Sequence, residues 1–107
     1  MLLLRYRVDF ELVMDLHFTA QIFKEGRQYV AYSPELDVSS CGGSESKARQ
    51  NLLEAVRLFL EEAGKAGTLE QVLEESGYVR RRSAWQAPEL VSTQRASLPL
   101  PLAHAKA

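Results

Sequence analysis

Apolar and polar residues alternate along the first fifth of the chain. Leu4, Tyr6, Val8, Phe10, Leu12, Met14, Leu16, Phe18, Ala20 and Ile22 share one parity. Arg5, Arg7, Asp9, Glu11, Asp15, His17, Thr19 and Gln21 share the other, interrupted only by Val13. Period two puts successive side chains on opposite faces, so the stretch predicts a strand with one buried and one wet face. It exceeds the usual length of about 5–6 residues and holds no Gly, Pro or Asn-Gly, so it reads as one long bent strand or two collinear ones. Residues 1–13 are then a possible strand extension, and Met14 is a second candidate start. Lys24-Glu25-Gly26-Arg27 is a turn, with Gly26 at positive φ. Gln28 to Ser33 is a second strand, ended by Pro34, and Val38 to Cys41 a third, stopped by Gly42-Gly43.

The period then changes. Ala48, Leu52, Ala55, Val56, Phe59, Leu60 and Ala63 recur at helical spacing and form a stripe that covers a sheet. Ser44 reads as the N-cap and Glu45 as the first-turn acid, with Gly64 as the left-handed cap. Thr68 to Gln71 has capping-box spacing and opens a shorter helix with Leu69, Val72 and Leu73 inward, closed by Gly77. Residues 78–89 read as irregular and Leu90 to Leu98 as a returning strand. Pro99 and Pro101 alternate with leucines in an edge-like tail that frays at His104 to Ala107.

The order β-β-β-α-α-β predicts an α+β fold: a three-stranded antiparallel sheet under one main helix, a short second helix and a returning fourth strand. Residues 1–77 are the core of a single domain; residues 78–107 are a connector, edge strand and tail. At 107 residues and 46% hydrophobic the chain is of globular size and composition. Its net charge of −1 excludes a globally basic nucleic-acid binder. That total hides an asymmetry, −5 over residues 1–77 and +4 over residues 78–107. It predicts an acidic body against which a basic tail folds, or a tail that meets nucleic acid. No apolar run reaches the roughly 18–20 residues of a membrane helix, and no secretory leader is visible, so a cytoplasmic protein is expected.

Candidate chemistry is sparse. His17 and His104 are surface histidines, and no HExxH, CxxC or GxSxG occurs. Cys41, the one cysteine, is expected as a buried strand-end thiol, and Gly42-Gly43-Ser44 as a turn plus cap. Asp9, Glu11 and Asp15 lie along one strand and read as a solvated face, since a metal-dependent nuclease gathers acids from several strands. Neither metal, cofactor nor enzymatic activity is expected. Arg80, Arg81 and Arg82 beside Trp85 read as a solvated connector packing one tryptophan, with a clamp for single-stranded nucleic acid as the other reading. Glu35-Leu36-Asp37 follows Tyr29 and Tyr32 in a loop between strands. Tyrosines flanked by acids suit a protein-binding patch, in which Tyr32 or Leu36 anchors while Glu35 and Asp37 steer and pair.

The run Phe18-Thr19-Ala20-Gln21-Ile22, Gly26, and Tyr29 through Asp37 resembles the HicB-like antitoxin family. The likeness continues through Val38 to Gly42 and the helix with Ala48, Asn51-Leu52, Glu54-Ala55-Val56 and Leu60, over about residues 16–63. Gly67-Thr68-Leu69-Glu70 through Gly77-Tyr78 resembles the second helix of many members. The resemblance implies a partial ribonuclease-H-like fold and a non-enzymatic antitoxin that blocks a small HicA-type mRNA-cleaving toxin. It also implies a basic toxin face, since those toxins are similar to double-stranded-RNA-binding domains. Two-part members add a helix-turn-helix or ribbon-helix-helix domain; after Tyr78 this chain shows neither pattern. The alternative is a solitary nucleic-acid-binding or degenerate ribonuclease-H-like protein with no toxin partner. A homodimer or larger homo-oligomer is expected, because the first strand carries more apolar positions than one short sheet covers.

Overall fold

A computed structural model describes residues 15–103 of the chain. The alternation from Leu4 to Met14, the acids Asp9 and Glu11, the alternative start Met14 and the frayed end from His104 lie outside those residues.

The fold is α+β. Strands β1 (Gln21–Glu25), β2 (Gln28–Ser33) and β3 (Val38–Gly42) form an antiparallel sheet in that order. A two-residue loop joins β1 to β2, with Gly26 at φ 63. Helix α1 (Glu45–Ala66) lies across β3 and β2. Helix α2 (Leu69–Glu75) turns back against it, and strands β4 (Val79–Arg81) and β5 (Ala84–Gln86) make a separate hairpin.

Register explains the core. Ile22, Ala31 and Ser40 are opposite one another, and Ala31 is fully buried under α1. Ala48, Leu52 and Val56 descend from the helix onto that row, joined by Leu36, Leu73, Tyr78 and Trp85. Leu16, Phe18 and Ile22 pack against this cluster, as their shared parity predicts, although Ala20 is exposed. Gly42 lets β3 pass close beneath the start of α1: a Cβ there would stand 2.8 Å from the Ala48 amide nitrogen. Ser44 caps α1, its Oγ accepting from the Lys47 N–H at 3.1 Å.

Five expectations are corrected. Residues 15–20 are not a regular strand, because Pro34 ends β2 just beyond Tyr32, the partner of Gln21, and leaves earlier residues without a ladder. Only Leu16 pairs, in a parallel bridge with Trp85. Helix α1 runs past Gly64, and Gly67 takes the left-handed cap at φ 76. There the Thr68 N–H reaches Ala63 O at 2.9 Å and the Gly67 N–H reaches Gly64 O at 3.2 Å, a Schellman closure. That use of Thr68 excludes a capping box; its Oγ donates back to Ala63 O at 3.4 Å. Cys41 is exposed, because β3 alternates and Cys41 shares its row with Val30 and Phe23 on the face away from α1. The last strand pairing falls earlier than expected: residues 78–89, expected as irregular, contain the β4–β5 hairpin, which forms its own two-stranded sheet. Residues 90–98 form no strand, since β5 has already taken the place beside Leu16.

Candidate functional site

The loop of residues 34–37 joins β2 to β3. Pro34 ends β2 because it has no N–H for the ladder. The Asp37 N–H then bonds Ser33 O at 2.8 Å and closes the turn. Asp37 sits at φ 55, a left-handed conformation that a short polar side chain tolerates. Between them Leu36 drops its side chain into the core, 5% exposed.

Glu35 points the other way and is gripped. One carboxylate oxygen accepts from the Thr19 N–H at 2.9 Å and the other from Thr19 Oγ at 2.6 Å. Ser33, fully buried, donates its hydroxyl to the same carboxylate at 3.3 Å. Burial by itself would raise the Glu35 pKa. The two Thr19 bonds, helped by the Glu35 backbone and Ser33, outweigh it and hold the carboxyl below its ordinary value. This charge also acts on Tyr78, whose hydroxyl donates to His17 O at 2.7 Å. Burial first, and the Glu35 carboxylate second, push the Tyr78 pKa up to about 12.

On the outer side, Tyr32 donates its hydroxyl to Asp37 Oδ1 at 3.0 Å. That hydrogen bond, then partial burial and the Asp37 charge, raise the Tyr32 pKa. Tyr32 shares the sheet face away from α1 with Val30, Phe23, Cys41 and Ser39, a face that no other described element covers. Phe23 is 46% exposed there. The rim of the loop therefore offers an aromatic ring and an exposed acid beside an apolar row. A shallow groove of about 270 Å³ adjoins it, with Thr19, Gln21, Pro34 and Glu35 on one side and Pro88 to Leu90 on the other.

The five loop candidates are thus not equivalent. Tyr32 and Asp37 meet on the open face. Leu36 is corrected as an anchor, because its side chain is used by the core. Glu35 is corrected as a free steering charge, because Thr19 and Ser33 occupy its oxygens. Tyr29 lies on the helix-side face, packed against the core, with Lys24 Nζ 5.8 Å from its ring centroid. Thr19 and Ser33 were missed by sequence reading. The only signal for Thr19 was a hydroxyl residue at a polar strand position, which does not reveal a partner sixteen residues away.

The arginines form no open clamp. Arg80 stacks over Trp85, 5.7 Å from its ring, and reaches Glu70 Oε1 at 2.8 Å. Arg81 donates to Gln86 Oε1 at 3.1 Å, and Arg82 occupies the hairpin turn at φ 24. Trp85 is 7% exposed, so the packing reading of Trp85 holds and its ring is closed to a stacked base. Among the described residues, no three of His, Cys, Asp and Glu gather to hold a metal ion. No described helix is long and apolar enough to cross a membrane. Compared with family models, curated proteins and solved structures, the chain matches none.

Proposed function

We propose that this protein is an antitoxin-like binding module that neutralises a small basic HicA-type mRNA-cleaving toxin, acting by occlusion and not by catalysis. The observation that carries the reading is the sheet face away from α1, left open by the described residues, on which Tyr32, held by Asp37, stands beside Phe23 and Val30. A rigid aromatic with a polar end is a favoured anchor, and an exposed acid at its rim steers a basic partner. The net −5 of residues 1–77 works in the same direction over longer range.

Asp37→Asn tests the charge, keeps a short polar side chain at φ 55 and leaves the Thr19 grip on Glu35 untouched. It is expected to slow association with a HicA-type toxin and to flatten the salt dependence of the on-rate, with far-UV circular dichroism unchanged. Tyr32→Ala is expected to raise the dissociation rate. The readouts are pulldown and growth rescue on co-expression with the toxin. Full rescue by Tyr32→Ala/Asp37→Asn moves the interface elsewhere. A wild-type chain that binds no HicA-type toxin defeats the reading.

A further inference from the structure

Residues 87–103 form neither strand nor helix, yet Leu90, Val91, Leu98, Leu100 and Leu102 stand there between 63% and 88% exposed. Contiguous apolar exposure on this scale marks a surface that meets something. The pattern of Leu98-Pro99-Leu100-Pro101-Leu102 says how. In extended backbone, residues of one parity aim both N–H and C=O at one edge, and residues of the other parity at the opposite edge. Leu98, Leu100 and Leu102 offer complete hydrogen-bonding groups on one edge. The other edge carries Pro99 and Pro101, which have no N–H. Such a segment joins a sheet from one side only and closes it against further addition.

Strand β1 has the matching vacancy. It is an outer strand of the sheet, and among the described residues nothing pairs with its far edge. In a two-residue hairpin the pair flanking the loop, here Glu25 and Gln28, is hydrogen-bonded, and the pairs alternate from there. Ile22 and Lys24 therefore turn their backbone groups outward. An antiparallel strand bonded to them places its own bonded residues on the same face, so the three leucines would extend the apolar row that Ile22 begins.

We propose that residues 98–102 of one copy add as an antiparallel edge strand to β1 of a second copy, and that this exchange builds a homo-oligomer. The segment leaves its own body at Pro88 to Leu90, beside Gln21 at the start of β1. Lying antiparallel on its own β1 would require a reversal between Leu90 and Leu98, and residues 91–97 form neither turn nor bend. Leu98, Leu100 and Leu102, between 63% and 88% exposed, give the added strand an apolar side to bury.

Sedimentation of the full chain at micromolar concentration is expected to give at least twice the 12.0 kDa of one copy. Leu98→Ser/Leu100→Ser/Leu102→Ser is expected to weaken association on the order of 100-fold with the fold retained. Lys24→Pro removes one outward N–H and no bond to β2, and is expected to do the same. Two populations, one carrying Lys24→Cys and one Leu100→Cys, both with Cys41→Ser, are expected to form a chain-to-chain disulfide when mixed and oxidised. A monomeric wild type overturns the proposal. So do variants that assemble like the wild type, or a mixture that forms no disulfide between the Lys24→Cys and Leu100→Cys chains.

Discussion

Residues 34–37 and residues 87–103 both lack regular secondary structure, and they are built in opposite ways. The first segment is fastened at every position: Leu36 in the core, Glu35 to Thr19 and Ser33, Asp37 to Tyr32 and Ser33. The second carries leucines with little of this chain around them. Irregular backbone becomes a rigid part of a protein when its side chains find local partners. When those side chains are apolar and exposed, the partner has to come from beyond the described residues of the protomer.

The sharpest way to break this comparison is one substitution made in both segments. Leu36→Ala is expected to cost about 2–5 kcal/mol in urea unfolding, because it opens a cavity in the core. Leu100→Ala, measured dilute enough to keep copies apart, is expected to change stability by no more than about 0.5 kcal/mol. Equal costs would show that the tail belongs to the protomer core.

Alkaline pH gives the next effect. The folded Tyr78 pKa is raised to about 12, so the neutral phenol favours the fold. That contribution is complete below the unfolded value near 10 and is lost as pH rises through about 12. Tyr78→Phe should remove this alkaline slope in a thermal melt. A variant that keeps the slope would assign it to another group.

Loss of one hydroxyl at the loop should cost less. Thr19→Val keeps the backbone N–H but removes the shorter bond to Glu35, and is expected to cost about 1 kcal/mol. The folded Glu35 pKa is depressed, so its contribution is present above the unfolded carboxyl value near 4.5 and fades as pH falls through the folded one. Glu35→Gln should therefore flatten the acid limb of the stability profile, whereas removal of residues 98–102 should leave it unchanged. The smallest effect belongs to Arg80→Ala. Its pair with Glu70 is half exposed or more on both sides, so a loss of under about 1 kcal/mol is expected.

Local chemistry was legible in the residues. Pro34 ending β2, Ser44 capping α1 and the Ala48-Leu52-Val56 stripe each follow from rules acting within a few positions. The errors arose where two local answers were both good, or where the answer lay far along the chain. Gly64 and Gly67 both satisfy a left-handed cap, and the turn into α2 chooses the second. The residue type of Cys41 points to burial, whereas its place in the alternation puts it on the face away from α1. The β4–β5 hairpin turns at Arg82-Ser83 with neither Gly nor Asn to announce it. In the site, the clasp of Glu35 by Thr19 spans sixteen residues and leaves no trace in spacing. Tyr32 and Asp37, five apart, were within reach of pattern reading.

The contacts of Leu16 with Trp85, and of His17 O with Tyr78, have a consequence for how the molecule is made. The hydrogen bond spans 61 positions, whereas the β1–β2 hairpin and helix α1 are assembled from near neighbours. During synthesis the hairpin and helix emerge early and can form at once. The segment around Leu16 has to wait for Tyr78 and Trp85 to be translated before its apolar side is covered. The joint between the start of the described chain and its late hairpin is therefore the last to close on the ribosome. By the same logic it should be among the first to exchange its amide hydrogens once the protein is complete.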